Sequence, residues 1–274
     1  MPELPEVETV RRTLSTLILN KEIRDIDVFY PKMIRNVEIL KFRETLIGRS
    51  IDSIDRYGKY LVFNLGDVSL ISHLRMEGKY FIKNTDLPRE KHEHVIIYFT
   101  DGDTLRYHDT RKFGTMDIVP KISVFSNSPI TKLGPEPFEK EMTVTYLSKK
   151  LSNKSIAIKS ALLDQTIMTG LGNIYVDEVL FLTKLHPETS SNLITKTQVK
   201  KIIENSIKVL NKAIKLGGTT IRSYTSSLGV TGLFQNELNV HTKKGEPCSI
   251  CQTPIDKIKV NGRGTYYCPK CQKK

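Results

Sequence analysis

Three groups of side chains in this 274-residue sequence have the types and spacings that chemistry requires. The first is the start, Met1-Pro2-Glu3. Removal of the initiator Met makes Pro2 the N-terminus and leaves a carboxylate beside its free amine. An α-amino group has a pKa near ~8, against ~10.4 for a lysine, so far more of it is unprotonated at neutral pH. A secondary amine that condenses with an aldehyde-level carbon gives a positively charged iminium, which is an electron sink. Taken alone, Pro2 and Pro5 do no more than stiffen a terminus, and the chemical reading depends on the rest of the chain.

The second group is Cys248-x2-Cys251-x16-Cys268-x2-Cys271, which contains all 4 cysteines. The spacing is that of a zinc ribbon or β-hairpin finger. Two disulfides are the alternative, but no apolar signal region opens the chain, so zinc is the expectation. Four thiolates close the coordination shell, which makes the metal structural. Between the pairs, Lys257 to Thr265 reads as strand, turn, strand, with Arg263 expected at the tip between Gly262 and Gly264. A guanidinium held there suits a phosphate, although solvated hairpin tips look the same in sequence.

The third group is dispersed. Gly170-Leu171-Gly172-Asn173 lies between two helical segments, where helix-start amides and the Asn173 side chain offer an anion site or simply a turn. His73, Arg75, Met76, Lys91, His92, His94, Arg111 and Phe113 fall at strand ends or in loops. Taken in isolation Met76 and Phe113 read as core, yet each neighbours a cation. Apolar wedges beside basic side chains can fill the hole left by an extruded base.

Rigid elements must carry these groups. Val7, Val10, Leu14, Leu17 and Ile18 recur at helical spacing directly after Pro5. Ile39, Phe42 and Leu46 mark a second helix stopped by Gly48. Strands are expected over residues 60–65, 68–74, 95–99, 105–108 and 115–119, with Gly66-Asp67 and Asp101-Gly102 as turns, which predicts a two-layer sandwich or barrel. Beyond the proline-rich hinge at Leu133 to Pro137 the apolar period becomes helical, and the last helix opens on a capping box, Thr195 to Gln198, and stops at Gly217-Gly218. The chain carries 42 Lys and Arg against 30 acids, a net charge of +12 that favours a polyanionic partner. From Asn239 onward 8 cations stand against 2 acids, so the terminal segment holds half of that excess and should touch the partner. No run is long enough for a membrane span, and a soluble intracellular protein is expected.

Together these features resemble the bacterial formamidopyrimidine-DNA glycosylase family. The resemblance is carried by Pro2-Glu3-Leu4-Pro5-Glu6-Val7-Glu8-Thr9, Gly58-Lys59-Tyr60-Leu61, His73-Leu74-Arg75-Met76-Glu77-Gly78 and Lys91-His92-Glu93-His94. It continues through Asp109-Thr110-Arg111-Lys112-Phe113-Gly114, Gly170 to Tyr175, Gln235-Asn236-Glu237-Leu238 and the cysteine finger. Leu4 stands where the related endonuclease VIII group, which favours oxidised pyrimidines, typically has Gly.

The resemblance implies an α+β multidomain chain: a β-sandwich with its N-terminal helix over 1–133, a helix-two-turn-helix domain over 134–238 and a zinc finger over 239–274. It implies a monomeric bacterial repair enzyme of the cytoplasm, acting on double-stranded DNA that holds an oxidised purine or an abasic site, with one structural zinc. Pro2 is implied as the nucleophile, Glu3 as acid and base, Lys59 as proton donor for β-elimination and Arg263 as the δ-elimination residue. His73, His92, Arg111, Lys154, Lys159 and Asn173 are implied to bind DNA, and Met76, Arg111 and Phe113 to fill the void. Two rivals remain at this stage: a DNA-binding protein without catalysis, and a pyrimidine-directed glycosylase of the same fold.

Overall fold

The computed structural model describes residues 1–219 and 232–274. Its contacts divide these residues into two units, 1–132 with 217–219 and 232–233, and 133–216 with 234–274. Residues 220–231, part of the expected 134–238 domain, lie outside the described residues.

The first unit opens with α1 (Leu4–Ile18), whose Leu4, Val7, Val10, Leu14 and Ile18 are all fully buried. Each such side chain contributes roughly 1.5–3 kcal/mol by leaving water. The helix caps a sandwich of two four-stranded antiparallel sheets. One has the order β1 (Ile23–Val28), β6 (Glu93–Phe99), β7 (Asp103–His108), β5 (Lys79–Asn84). The other has the order β2 (Ser53–Tyr57), β3 (Tyr60–Leu65), β4 (Val68–His73), β8 (Thr115–Pro120). Helix α2 (Ile39–Leu46) adds Phe42 and Leu46 to the same core. The five strands expected from the sequence are present, whereas β1, β2 and β5 carry no strong pattern and are all sheet edges. These three strands are only partly buried and so lack an apolar run, whereas the edge strand β8 is buried along most of its length and is legible.

The second unit contains α3 (Val144–Ser152), α4 (Ile158–Leu163), α5 (Asn173–Thr183), α6 (Lys196–Lys215) and a hairpin of β9 (Asp256–Val260) and β10 (Arg263–Tyr267). The expected capping box of Thr195 and Gln198 opens α6, as predicted. The finger is not a separate body: Cys248, Ile255 and Cys268 share a core with Phe181 of α5 and with Val240. A two-stranded hairpin is marginal alone, and here it borrows apolar surface from the helices. No described helix is long and apolar enough to cross a membrane.

Candidate active site and metal centre

Pro2 and Glu3 are buried at the head of α1. Glu3 and Glu6 form a capping box, in which Glu6 Oε2 accepts the Glu3 backbone N–H at 2.8 Å. The other Glu6 oxygen accepts from Thr219 N at 2.8 Å and from its hydroxyl at 3.1 Å. One carboxylate thus fixes both the Pro2-Glu3 start and the chain at Thr219. Gly218, at φ +79°, lies against it so closely that a Cβ would stand 2.6 Å from Glu6 Oε1.

Lys59 is 5% exposed and sits in the two-residue turn Gly58-Lys59 that joins the Tyr57–Tyr60 pair of β2 and β3. Gly58 at φ 57° supplies the positive first position that such a hairpin turn demands. Arg56 donates to the Gly58 carbonyl at 2.9 Å and to Glu8 Oε2 at 3.1 Å, which ties the lysine turn to the helix behind Pro2. Glu8 also binds Arg11 and Arg12. Burial raises its pKa, but hydrogen bonds from Arg11 and Arg12 and the charges of Arg11 and Arg56 outweigh this and hold it at about 2. Because the folded value lies below the unfolded one, the linked stability is present above pH ~4.5 and lost as pH falls toward 2. Glu8→Gln should cost on the order of 3 kcal/mol at neutral pH and flatten the acid limb of a denaturation-versus-pH curve, and an unchanged limb would contradict the linkage.

Two loops carry the residues expected to form a wedge. Asp109, fully buried, accepts the backbone N–H of Arg111, Phe113 and Gly114, each at 2.9 Å. The loop so held exposes Phe113 by 50%, with the Arg111 guanidinium 4.8 Å from the ring centroid. Met76 is 37% exposed beyond the turn at Arg75, whose φ is 53°. His73, expected to bind DNA, sits in the strand end that leads into this turn. It is buried, packs edge-on against Tyr60, and its Nδ1 accepts the Arg75 N–H at 2.9 Å. Burial, then the charges of Arg75 and Lys59, push its pKa down to about 3, so it is a neutral ring whose Nδ1 shapes the Met76 turn and whose Nε2 carries the hydrogen.

His92 is half-buried, in a loop that the sequence did not show to be anchored. Arg106, 1% exposed, donates to the carbonyls of Asn84, Leu87 and Pro88 and pairs with Glu93 at 3.1 Å. A guanidinium that fills its donors with the carbonyls of one loop fixes that loop's path.

In the second unit Gly172 is the N-cap of α5, and Asn173 is its first residue. The Asn173 amide donates to the Gly264 carbonyl at 3.0 Å, so its side chain supports the hairpin as well as marking the helix start. Lys154 remains partly exposed, with Asp164 3.8 Å away. Lys159 corrects its expected phosphate contact. Its ammonium is fully buried and donates to Asp177 Oδ1 at 2.7 Å, Thr265 Oγ1 at 2.8 Å and Gly264 O at 3.1 Å. All three of its donors are thereby engaged inside the protein. Arg263 is exposed as expected but is not the tip: Asn261 and Gly262, at φ 45° and 77°, form the turn, and Arg263 pairs with Val260 as the first residue of β10. Glu178 was not singled out in the sequence. Its carboxylate accepts four N–H groups from Asn239, Val240 and His241 at 2.8–3.0 Å, which anchors the chain leading into the finger. The available signal was Asp177-Glu178 within the otherwise apolar helix run Tyr175 to Phe181.

The four cysteine sulfurs lie within 4.8 Å of one another, with Cys251–Cys268 at 3.4 Å and Cys248–Cys271 at 4.0 Å. Zinc–thiolate bonds of ~2.3 Å place tetrahedral sulfurs about 3.8 Å apart, so this donor set fits one Zn2+. The cysteines are free of disulfides.

Residues 1–116 match the formamidopyrimidine-DNA glycosylase N-terminal domain, 133–225 the formamidopyrimidine-DNA glycosylase H2TH domain, and 245–274 the zinc finger found in FPG and IleRS. A sandwich headed by Pro2-Glu3, followed by this helical and zinc-finger unit, defines a DNA glycosylase of the base-excision type. The formamidopyrimidine-DNA glycosylase of Ligilactobacillus salivarius is 53% identical over 273 residues, 99% of each chain. That of Bacillus licheniformis is 50% identical over 275 residues, covering 100% of both. A mutant Lactococcus lactis FPG in complex with Fapy-dG containing DNA matches with a TM-score of 0.94 at 46% identity over 100% of both chains. The L. lactis Fpg complex with an abasic site containing DNA gives 0.94 at 47%, again over 100% of both. The chain belongs to the formamidopyrimidine-DNA glycosylase family.

Proposed function

We propose that this chain removes oxidised purines, 8-oxoguanine and formamidopyrimidines, from duplex DNA and cleaves the resulting abasic strand by β,δ-elimination, acting as a monomer in the bacterial cytoplasm on nucleoid DNA. The observation that carries this reading is the buried Pro2-Glu3 head of α1, tied through Glu8 and Arg56 to the turn that holds Lys59. Binding alone requires none of these three.

With Met1 removed, the Pro2 amine attacks C1′ and the glycosidic bond breaks with its electron pair going to the base, leaving an aminal; the C1′–O4′ bond then breaks, O4′ takes a proton, and an iminium forms. Glu3 gives and takes the proton that sugar ring opening requires. The iminium then draws the electrons of the C2′–H bond as that proton passes to water, and the 3′-phosphate leaves with a proton donated by Lys59. Arg263 serves the second elimination by stabilising the departing phosphate, since a guanidinium gives up its proton with great difficulty. His92, Arg111, Lys154 and the α5 start at Asn173 contact the DNA backbone. Met76, Arg111 and Phe113 occupy the space vacated by the flipped nucleotide. The reading is tested on duplexes carrying 8-oxoguanine or thymine glycol: preferred cleavage of the first supports it, and preferred cleavage of the second assigns the chain to a pyrimidine-directed activity.

Salt should weaken binding steeply, by about 0.9 log unit per phosphate neutralised per tenfold change in salt. Arg111→Ala is expected to lower that slope by about one. Titrations by gel shift from low to moderate salt check this, and a slope near zero would remove the ionic basis of the interface.

A further inference from the structure

We infer that Asp177, acting with His241, is a positioning residue that aims Arg263 through the buried hydrogen-bond side of β10. The inference rests on the δ-elimination role proposed for Arg263.

Asp177 lies in α5 and is 1% exposed. Its Oδ1 accepts from Lys159 at 2.7 Å, while Oδ2 accepts from His241 Nδ1 at 2.8 Å and from the Tyr266 backbone N–H at 3.2 Å. A carboxylate only accepts, so Nδ1 of His241 carries the hydrogen of that bond. The His241 ring also packs on Tyr266, with centroids 5.0 Å apart. Lys159, held by Asp177, passes the constraint to Gly264 O and Thr265 Oγ1, and the Thr265 hydroxyl in turn contacts the Arg263 carbonyl at 3.0 Å. Each residue from Arg263 to Tyr266 thus has a backbone or side-chain atom in one network centred on this carboxylate.

Asn173 adds a hold on the same strand by donating to the Gly264 carbonyl at 3.0 Å, and β9 pairs along the other edge of β10. The turn residues Asn261 and Gly262 are exposed, and so is Arg263. The direction of the Arg263 side chain is therefore set by the buried side of its own strand. Zinc fixes the hairpin base at Cys268, whereas Asp177 acts nearer the turn, at Tyr266 and through Lys159 at Gly264 and Thr265. Removing the carboxylate charge leaves the Lys159 ammonium buried without its counter-ion, which forces it or β10 to move. Displacements of about 1 Å remote from the reacting atoms can cost on the order of 100-fold in rate.

The test uses full-length, Met1-processed, zinc-loaded protein on an abasic duplex. Borohydride trapping measures iminium formation, and the ratio of δ- to β-elimination product measures the step assigned to Arg263. Asp177→Asn and the milder His241→Gln are compared with Arg263→Ala. We expect Asp177→Asn to keep one zinc per chain and normal trapping while its δ:β product ratio falls roughly 10- to 100-fold, with His241→Gln falling less. An unchanged ratio in zinc-replete Asp177→Asn, or parallel loss of trapping and δ product in both variants, overturns the inference. An unchanged ratio in Arg263→Ala instead overturns the role proposed for Arg263 itself.

Discussion

Protein that retains Met1, or carries a tag before Pro2, is expected to lose base release and strand cleavage by at least about three orders of magnitude while still binding a lesion duplex. The acylated Pro2 nitrogen is an amide whose lone pair is delocalised into a carbonyl, so it cannot attack C1′. Binding survives because the residues proposed to hold the backbone, among them Arg111 and Lys154, lie far along the chain, and because Met1 is itself 45% exposed rather than packed into the core. Glu3→Gln should give a related result, retaining affinity with base excision lost, since it preserves shape and removes the proton-transfer function. Borohydride trapping and gel shift on the same 8-oxoguanine duplex separate chemistry from binding. Normal trapping with the N-terminus blocked would move the nucleophile to a lysine, with Lys59 the first to be tested.

Removal of zinc is the second large effect. Thiolate ligation supplies folding free energy to a segment too small to bury its own core, on the order of 10 kcal/mol for finger-sized sites. Cys268→Ser deletes one ligand, and Cys268 is also fully buried against the Phe181 cluster, so the loss reaches the floor of the hairpin. Arg263 loses its aim together with the finger. Affinity for the lesion duplex should fall toward non-specific binding, on the order of 1,000-fold weaker. The sandwich should stay folded, because its core is built from residues of the first 118 positions and contains no cysteine. Zinc content, gel shift and a melting curve decide the matter; full lesion binding by zinc-free protein would refute a structural role for the metal.

The charge of a side chain is written in the sequence, but its direction is not. Lys159 and Lys154 stand five positions apart and read alike as basic residues near a helix-turn-helix, yet one is sealed against Asp177 and β10 while the other reaches solvent. His73 reads in the sequence only as a polar residue at a strand end, and its neutral state follows from burial and the neighbouring charges of Arg75 and Lys59, which all disfavour its proton. Arg263 moved from the turn tip to the first position of β10 because consecutive positive φ angles at Asn261-Gly262 let those two residues make the whole turn.

What the sequence by itself determined is what depends on local period and spacing: α1 from its apolar stripe, the central strands from their apolar runs, the capping box at Thr195, and the zinc site, whose four ligands are close in the chain. The Pro2-Glu3 pair, proposed as catalytic, was singled out on equally local grounds, an amine beside a carboxylate at the start of a helix. Only the tertiary structure decided the edge strands β1, β2 and β5, the joining of the finger to α5, the Glu6 link to Thr219 and the Asp177 junction. Those features pair groups up to 213 residues apart, and no local pattern records which buried donor a distant carboxylate will meet.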